Sequence, residues 1–316
     1  MSYTGTREAF AAAMMELAGE DRKYMVVLAD TKNGLRLNKF GELYPERIIE
    51  AGVAEQNAVN LAAGIAAEGL VPFVATYAGF VVMRACEQVR SFVAYSNLNV
   101  KLVGCNGGLV GGEREGPSHQ FYEDIAITRA IPNMTVVSPC DAHQAYRATL
   151  ALGRLKGPAY LRLGSGRESE VTNAEDVFEL GKISVRAEYG DDIAIFVCGY
   201  IMNRALEAAR ELKGMGIKAT VLDVHTLKPL DKETVAAVLA KTKVAITYED
   251  HNIIGGLYSA ISEVNANYVG ARVVPIGIRD VFAESGKPDD LLAKYGMDVG
   301  DLVTEAKSLV EWKKSR

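Results

Sequence analysis

The feature that most constrains the fold of this chain is a repeated alternation of short apolar runs with longer segments of helical period. In the first half, β-branched runs predict five strands, at 24–30, 71–77, 99–104, 134–139 and 158–163. Helical segments lie between them, at 5–18, 54–68, 121–130 and 141–154. Strands without a polar face are typical of a parallel sheet covered by helices on both sides. The pattern therefore predicts a doubly wound α/β domain.

The alternation of strands and helices is interrupted over residues 164–190, which are rich in glycine, serine and charged residues. It then resumes, with strands predicted at 192–199, 218–224, 243–249 and 271–278 and helices at 201–213, 231–240, 254–267 and 301–313. A chain of 316 residues is long enough for two domains, each with its own core. We therefore predict a first domain over 1–165, a linker over 166–190 and a smaller second doubly wound α/β domain over 191–316.

Composition excludes several classes of function. The 40 acidic and 35 basic residues are scattered without the basic stripe that a nucleic-acid partner requires. The first residues lack the pattern of a signal peptide, and no apolar run approaches the roughly 18–20 residues that span a bilayer. We expect no membrane association and a cytoplasmic location. The four cysteines are widely spaced and the histidines number four, so we expect reduced thiols and no metal ligands in this chain.

Residues 50–69, EAGVAEQNAVNLAAGIAAEG, turn at Gly52 from a strand end into an alanine-rich helix. Glu55 lies in the first helical turn, where a carboxylate has a purely structural explanation because a helix N-terminus favours negative charge. The small residues of the helix indicate unusually close packing against another backbone. Such packing favours an interface and a shared site.

This segment resembles the motif of transketolases and deoxyxylulose-phosphate synthases whose glutamate contacts the aminopyrimidine ring of thiamine diphosphate. The resemblance implies that Glu55 is the catalytic carboxyl group. A carboxyl group in a largely apolar pocket has its charged form disfavoured. We therefore expect Glu55 to stay protonated near neutrality, as that role requires.

The sequence TYAGF at 76–80 follows a predicted strand and resembles the segment in which this family grips the pyrimidine ring with aromatic side chains. Tyr77 and Phe80 match, and Met83 stands where a third aromatic is common and packs less well against a ring. Asp30, in LADTKNG, matches a strand-end acid near the thiazolium ring. The resemblance implies that these residues and Glu55 bind the cofactor, although aromatics at strand ends are commonly core residues.

The sequence GGLVGGEREGPSHQ at 107–120 is too rich in glycine and polar residues for a helix or strand, so we predict a loop of special conformation. It resembles a family loop whose histidine faces the substrate, which implies that His119 polarises or reprotonates substrate oxygens. The loop departs from the family pattern, since Arg114 and Glu115 stand where an acidic residue reads a donor hydroxyl. Asn106 lies about where transketolases have another substrate histidine.

The resemblance is partial at the positions where the family binds the phosphate group of its substrate. Arg7 matches an arginine that holds the acceptor phosphate, and Arg167 is displaced by two residues from a second such arginine, whose place Ser165 takes. Gly34 falls near the family's phosphate-binding serine. The resemblance implies a sugar phosphate as substrate, with a sulfonated or branched sugar as alternatives.

The sequence lacks the Gly-Asp-Gly segment, followed by Asn, with which this family holds the divalent metal of thiamine diphosphate. The resemblance runs from Arg7 to about residue 300 and corresponds to the last two of the three transketolase domains. It implies a split enzyme of carbohydrate metabolism. A separate N-terminal subunit would supply the Gly-Asp-Gly…Asn motif and Mg²⁺ or Ca²⁺, in an α2β2 heterotetramer.

The resemblance implies transfer of a two-carbon ketol unit from a ketose to an aldose, a transketolase reaction as in the pentose phosphate pathway. Alternatives within the family are a deoxyxylulose-phosphate-synthase-like subunit and a 2-oxoacid dehydrogenase β subunit. A catalytically silent scaffold subunit is the non-enzymatic alternative. In the second domain, Asp250, His251 and Asn252 are interpreted as cap and turn residues.

Overall fold

The structure is a computed structural model that describes residues 3–112, 115–166 and 168–316. The strands are β1 (Tyr24–Leu28), β2 (Ile48–Glu50), β3 (Val71–Tyr77), β4 (Lys101–Cys105), β5 (Thr135–Val137), β6 (Ala159–Arg162), β7 (Ser184–Glu188), β8 (Ile193–Cys198), β9 (Ala219–Asp223), β10 (Thr226–Lys228), β11 (Val244–Asn252) and β12 (Arg272–Ile278). The helices are α1 (Thr6–Glu20), α2 (Asn38–Leu43), α3 (Glu55–Ala67), α4 (Cys86–Gln88), α5 (Asp124–Ala130), α6 (Ala142–Arg154), α7 (Met202–Gly214), α8 (Lys232–Thr242), α9 (Leu257–Tyr268), α10 (Pro288–Lys294) and α11 (Val299–Lys314). The prediction of two α/β domains is confirmed.

The first sheet contains seven strands in the order β10-β5-β6-β4-β3-β1-β2. Every pairing among β1 to β6 is parallel. Strands β4 and β6 are buried along their whole length, as strands covered on both faces must be. The carboxyl ends of β6, β4, β3, β1 and β2 therefore lie side by side at one edge of the sheet.

Strand β10 crosses the domain boundary. It follows β9 of the second sheet by two residues, yet it pairs antiparallel with β5 of the first sheet, Thr226 opposite Val137. One apolar cluster continues through both domains and includes Val74, Tyr160, Phe196 and Leu222. The two domains therefore share a sheet edge and a core.

The second sheet has five strands in the order β12-β11-β8-β9-β7. Its edge strand β7 lies inside the predicted linker 166–190 and pairs antiparallel with β9. This finding corrects the linker prediction at its C-terminal end. Strand β7 was missed because an edge strand exposed on one face carries polar residues, and Arg186 points to Asp223 rather than to solvent.

The segment between β3 and β4 was also not predicted. It contains two π-helical stretches, Phe80–Arg84 and Val89–Ala94, on either side of α4. Stretches of π-helix are rare overall, and those that occur often lie at functional sites. This segment packs against α3 and carries two of the predicted site residues, Phe80 and Met83.

No helix in the described ranges is long and apolar enough to cross a membrane.

Candidate active site

The predicted site residues follow neighbouring strands at the carboxyl edge of the first sheet. Asp30 comes after β1, Glu55 after β2, Tyr77 ends β3 and Asn106 comes directly after β4. In open parallel sheets, ligands bind outside the carboxyl ends of the strands. The topology thus brings residues from distant parts of the sequence to one edge.

Glu55 is the first residue of α3 and is 2% exposed. Arg84, from the π-helical stretch after β3, donates a hydrogen bond from Nη1 to Glu55 Oε2 at 2.8 Å. The geometry is that of an ion pair between a carboxylate and a guanidinium. Glu55 is buried, as expected, but its surroundings include a cation that the sequence analysis did not foresee.

Three of the predicted residues form one aromatic cluster. The ring of Phe80 makes edge contacts with Tyr77 and His119, at centroid distances of 5.8 and 5.3 Å. Tyr77 and His119 also contact each other, at 5.6 Å. Phe121, which was not predicted as a site residue, joins the cluster at 5.1 Å from Phe80. The structure therefore brings together a strand end, a π-helical turn and the glycine-rich loop.

The second domain holds the beginning of this loop. The carboxylate of Asp250 in β11 accepts the backbone N–H groups of Leu109 at 2.8 Å and Val110 at 3.2 Å. Gly108 has a φ of 87°, and a Cβ there would lie 2.3 Å from Asp250 Oδ2. Only glycine allows the backbone to approach the carboxylate so closely.

One further hydrogen bond fixes the loop at each of its two ends. The hydroxyl of Tyr200 donates to the carbonyl of Gly107 at 2.8 Å, and the side chain of Gln120 donates to the carbonyl of Glu284 at 2.9 Å. His119 lies next to Gln120, with its Nδ1 3.0 Å from Ser118 Oγ. The second domain therefore holds the loop that presents His119.

The predicted substrate residues Arg7 and Glu115 lie close enough to Tyr77 for their charges to act on its hydroxyl. Burial raises the pKa of Tyr77, and the charges of Glu115 and Arg7 act on it in opposite directions. Arg7 donates a hydrogen bond to the carbonyl of Ser165, which follows β6. Arg7 Nε is buried without a hydrogen-bond partner among the described residues.

The other predicted residues are placed as follows. Asp30 has a φ of 57° and is exposed, and its backbone N–H donates to Glu50 Oε1 at 2.6 Å. Met83 lies in the same π-helical stretch as Phe80 and is 43% exposed. Arg114 and Arg167 lie outside the described residues.

The sequence spacing indicates one of the contacts of Arg84, the one with Phe80. Arg84 follows Phe80 by four residues, the spacing at which two side chains of a helix meet. The sequence analysis predicts no helix over 80–94, so it does not predict the contact that this spacing implies. Phe121 gave no comparable signal, because its contact with Phe80 depends on how the loop folds back.

His251 has a structural role at the domain interface. Its Nε2 accepts the backbone N–H of Ala126 at 3.3 Å, and its Nδ1 lies 2.6 Å from the carbonyl oxygen of Asn252. These partners assign a neutral ring with the proton on Nδ1. Burial lowers the pKa of His251 to about 4, and the nearby Asp124 offsets part of this effect.

This low pKa predicts a pH dependence of stability. Between pH 4 and 6.5 the unfolded chain binds more protons at this histidine than the folded protein does, so the free energy of unfolding rises with pH. The expected contribution is on the order of 1 kcal/mol per pH unit. In urea unfolding, the wild type should therefore lose its advantage over His251→Gln as pH falls from 6.5 to 4. Parallel curves for the two proteins would contradict the assignment.

Comparison with known proteins identifies the family of both domains. A model of the transketolase pyrimidine-binding domain matches residues 3–167, and a model of the transketolase C-terminal domain matches residues 181–302. The chain belongs to the transketolase family. The resemblance stated from the sequence is confirmed.

Two relatives and one solved structure within this family are similar to the chain over nearly its whole length. The chain is 40% identical over 301 residues to a transketolase C-terminal section of Methanocaldococcus jannaschii, covering 94% of this chain and 93% of that protein. It is 37% identical over 310 residues to a 6-deoxy-6-sulfo-D-fructose transketolase subunit of a Clostridium species, covering 98% and 96%. A solved structure described as a split gene transketolase, inactive β4 tetramer, matches with a TM-score of 0.90 at 38% identity, over 97% and 98% of the two chains.

The residues at the sheet edge fit the pyrimidine half of thiamine diphosphate. They combine a buried carboxyl group, an aromatic cluster and two buried side-chain oxygens, Thr76 Oγ1 and Asn106 Oδ1, that have no hydrogen-bond partner in the described part of the chain. Within the same ranges, no group of three or more acidic, histidine or cysteine side chains is arranged to hold a metal ion.

Proposed function

We propose that this chain is the C-terminal subunit of a thiamine-diphosphate-dependent transketolase, which transfers a two-carbon ketol unit from a ketose to an aldose. The observation that carries the proposal is the convergence of Glu55, Phe80, Tyr77 and His119 at one sheet edge. Domain models and relatives of the transketolase family support the same reaction class.

Each residue then has a role. Glu55 provides the carboxyl partner of the aminopyrimidine ring, and Tyr77, Phe80 and Met83 pack against that ring. Bound thiamine diphosphate supplies the electron sink for the reaction. Asp30 lies on the thiazolium side of the site.

The substrate is held by residues around the same edge. His119 donates or accepts a proton at a substrate oxygen. Asn106, Arg114 and Glu115 contact substrate hydroxyls. Arg7 binds the anionic group of the substrate, a role that Arg167 shares. The substrate is a sugar phosphate, with a sulfonated or branched sugar as alternatives. The relative described as a 6-deoxy-6-sulfo-D-fructose transketolase subunit supports the sulfonated alternative.

The diphosphate and its Mg²⁺ or Ca²⁺ belong to a partner N-terminal subunit with the Gly-Asp-Gly…Asn motif, in an α2β2 assembly. A surface for this partner lies on α3 and the segments beside it. There the chain exposes large apolar side chains, namely Val53, Leu61, Met83, Phe92 and Tyr95. These side chains lie in α3, directly before it, or in and directly after the π-helical segment that packs against it, and apolar exposure grouped in this way is typical of interfaces.

Reconstitution tests the proposal. The chain is mixed with a partner that carries the Gly-Asp-Gly…Asn motif, thiamine diphosphate and Mg²⁺, and phosphorylated, sulfonated and branched ketoses are offered with aldose acceptors. The expected result is consumption of ketose and aldose without release of carbon dioxide. A requirement for pyruvate, with carbon dioxide release, would assign the chain to the synthase class instead. Association of the two chains without cofactor, and without turnover of any donor, would indicate a scaffold.

A further inference from the structure

Arg84 contacts two of the side chains that the proposed function assigns to the aminopyrimidine ring. Its Nη1 donates to Glu55 Oε2 at 2.8 Å, and its guanidinium carbon lies 4.1 Å from the centroid of the Phe80 ring. A guanidinium is planar, donates hydrogen bonds and stacks on aromatic faces. One side chain of this chain thus satisfies both a carboxyl group and an aromatic face.

The arrangement around Phe80 indicates which part of its ring Arg84 covers. Tyr77, His119 and Phe121 all meet Phe80 in edge-type contacts, with interplanar angles of 79°, 76° and 69°. The guanidinium of Arg84, in contrast, is a cation placed over the ring. Arg84 therefore covers one face of the Phe80 ring, on which a planar ligand could otherwise stack.

We propose that Arg84 is a place-holder for the aminopyrimidine ring of thiamine diphosphate. In the chain without cofactor it pairs with Glu55 and covers Phe80. When the ring takes this position, Arg84 leaves both contacts and turns outward, away from Glu55 and Phe80. This inference rests on the proposed function, because it takes from it the identity of the ligand.

The structure gives Arg84 the freedom to leave. Its side chain is 45% exposed, whereas that of Glu55 is 2% exposed. A long side chain at the end of a π-helical stretch can turn outward without moving the backbone that carries Phe80. In the described part of the chain, Arg84 is the one charged side chain in ion-pair contact with Glu55. The buried carboxyl group is thus kept satisfied until a ligand replaces its partner.

A place-holder lowers the apparent affinity of the ligand that displaces it, since only the open form of the site binds. Arg84→Met keeps a long side chain and removes the ion pair. In the complex with the partner subunit and Mg²⁺, this variant should bind thiamine diphosphate about threefold to tenfold more tightly than the wild type, as measured by titration calorimetry. Arg84→Lys keeps the charge but not the planar group, so its affinity should lie between the two.

Arg210→Met is the matched control, because Arg210 is an exposed arginine of α7, outside the segments assigned to the site and to the partner surface. It should leave the cofactor affinity unchanged. If the wild type binds the cofactor and both Arg84 variants bind equally or more weakly, the place-holder role is wrong and the proposed function stands. If the subunits associate but neither the wild type nor the variants bind the cofactor, the proposed function fails and the place-holder role fails with it.

Discussion

Replacing Glu55 with alanine is expected to lower kcat/KM of the reconstituted enzyme at least about 100-fold. Glu55 begins α3 and points a buried carboxyl group at the edge where the aromatic cluster lies. Under the proposed function, this carboxyl group is the acid partner of the cofactor ring, and no other residue of the described chain is assigned that task. Steady-state kinetics with saturating cofactor measure the effect.

Two further variants test whether a loss of activity in Glu55→Ala is due to the missing carboxyl group. Glu55→Gln keeps the size and the hydrogen-bonding capacity of the side chain but cannot exchange a proton, so its activity should lie between those of the wild type and Glu55→Ala. Glu211→Ala removes an exposed carboxylate from α7 and should leave turnover unchanged. Undiminished turnover in Glu55→Ala would remove Glu55 from the mechanism.

Replacing Asp124 with alanine is expected to destabilise the protein by roughly 3–5 kcal/mol. Asp124 Oδ2 accepts hydrogen bonds from the Tyr160 hydroxyl at 2.5 Å and from Arg162 Nε at 2.8 Å, and both charged side chains are at most 2% exposed. Burial opposes ionisation of Asp124, but Arg162 keeps its pKa below the ordinary value. Removing the carboxylate leaves the guanidinium buried without its counter-charge.

The matched control is Glu20→Ala. Glu20 pairs with Arg154 at 2.7 Å, but the two side chains are 42% and 53% exposed. A surface pair of this kind contributes no more than about 1 kcal/mol. Urea unfolding at pH 7 should therefore separate the two variants clearly, and similar midpoints would show that the buried pair contributes no more than a surface pair.

The Asp124 pair also bears on function. Arg162 donates to the carbonyl of Asp250 at 2.9 Å, and Asp250 holds the first residues of the glycine-rich loop. Loss of the buried pair should therefore loosen the loop that presents His119 before the protein unfolds globally. In Asp124→Asn, which keeps an acceptor for Tyr160, hydrogen exchange at Leu109 and Val110 would detect this loosening.

Much of the fold could be predicted from local patterns. The strands at 71–77 and 219–223 and the helices that begin at Glu55 and Ala142 lie where apolar periodicity indicated them, within one or two residues. Periodicity fails for β7 and β10, because an edge strand with a polar face and a three-residue strand carry little apolar signal. The helical segment over 80–94 is not predicted either, although its buried residues Val81, Ala85, Val89 and Val93 recur every four residues, and a local pattern does not distinguish π-helix from α-helix.

The sequence by itself determined the order of the main strands and helices, the family, and the residues that follow each strand at the site. Only the tertiary structure decided what those residues touch. Arg84 meets Glu55 across 29 residues, and Asp250 meets Leu109 across 141. Such contacts depend on how whole elements pack, which a local pattern does not encode. The packing thus decides that the glutamate predicted to meet the cofactor is already paired, and that the second domain holds the loop of the first.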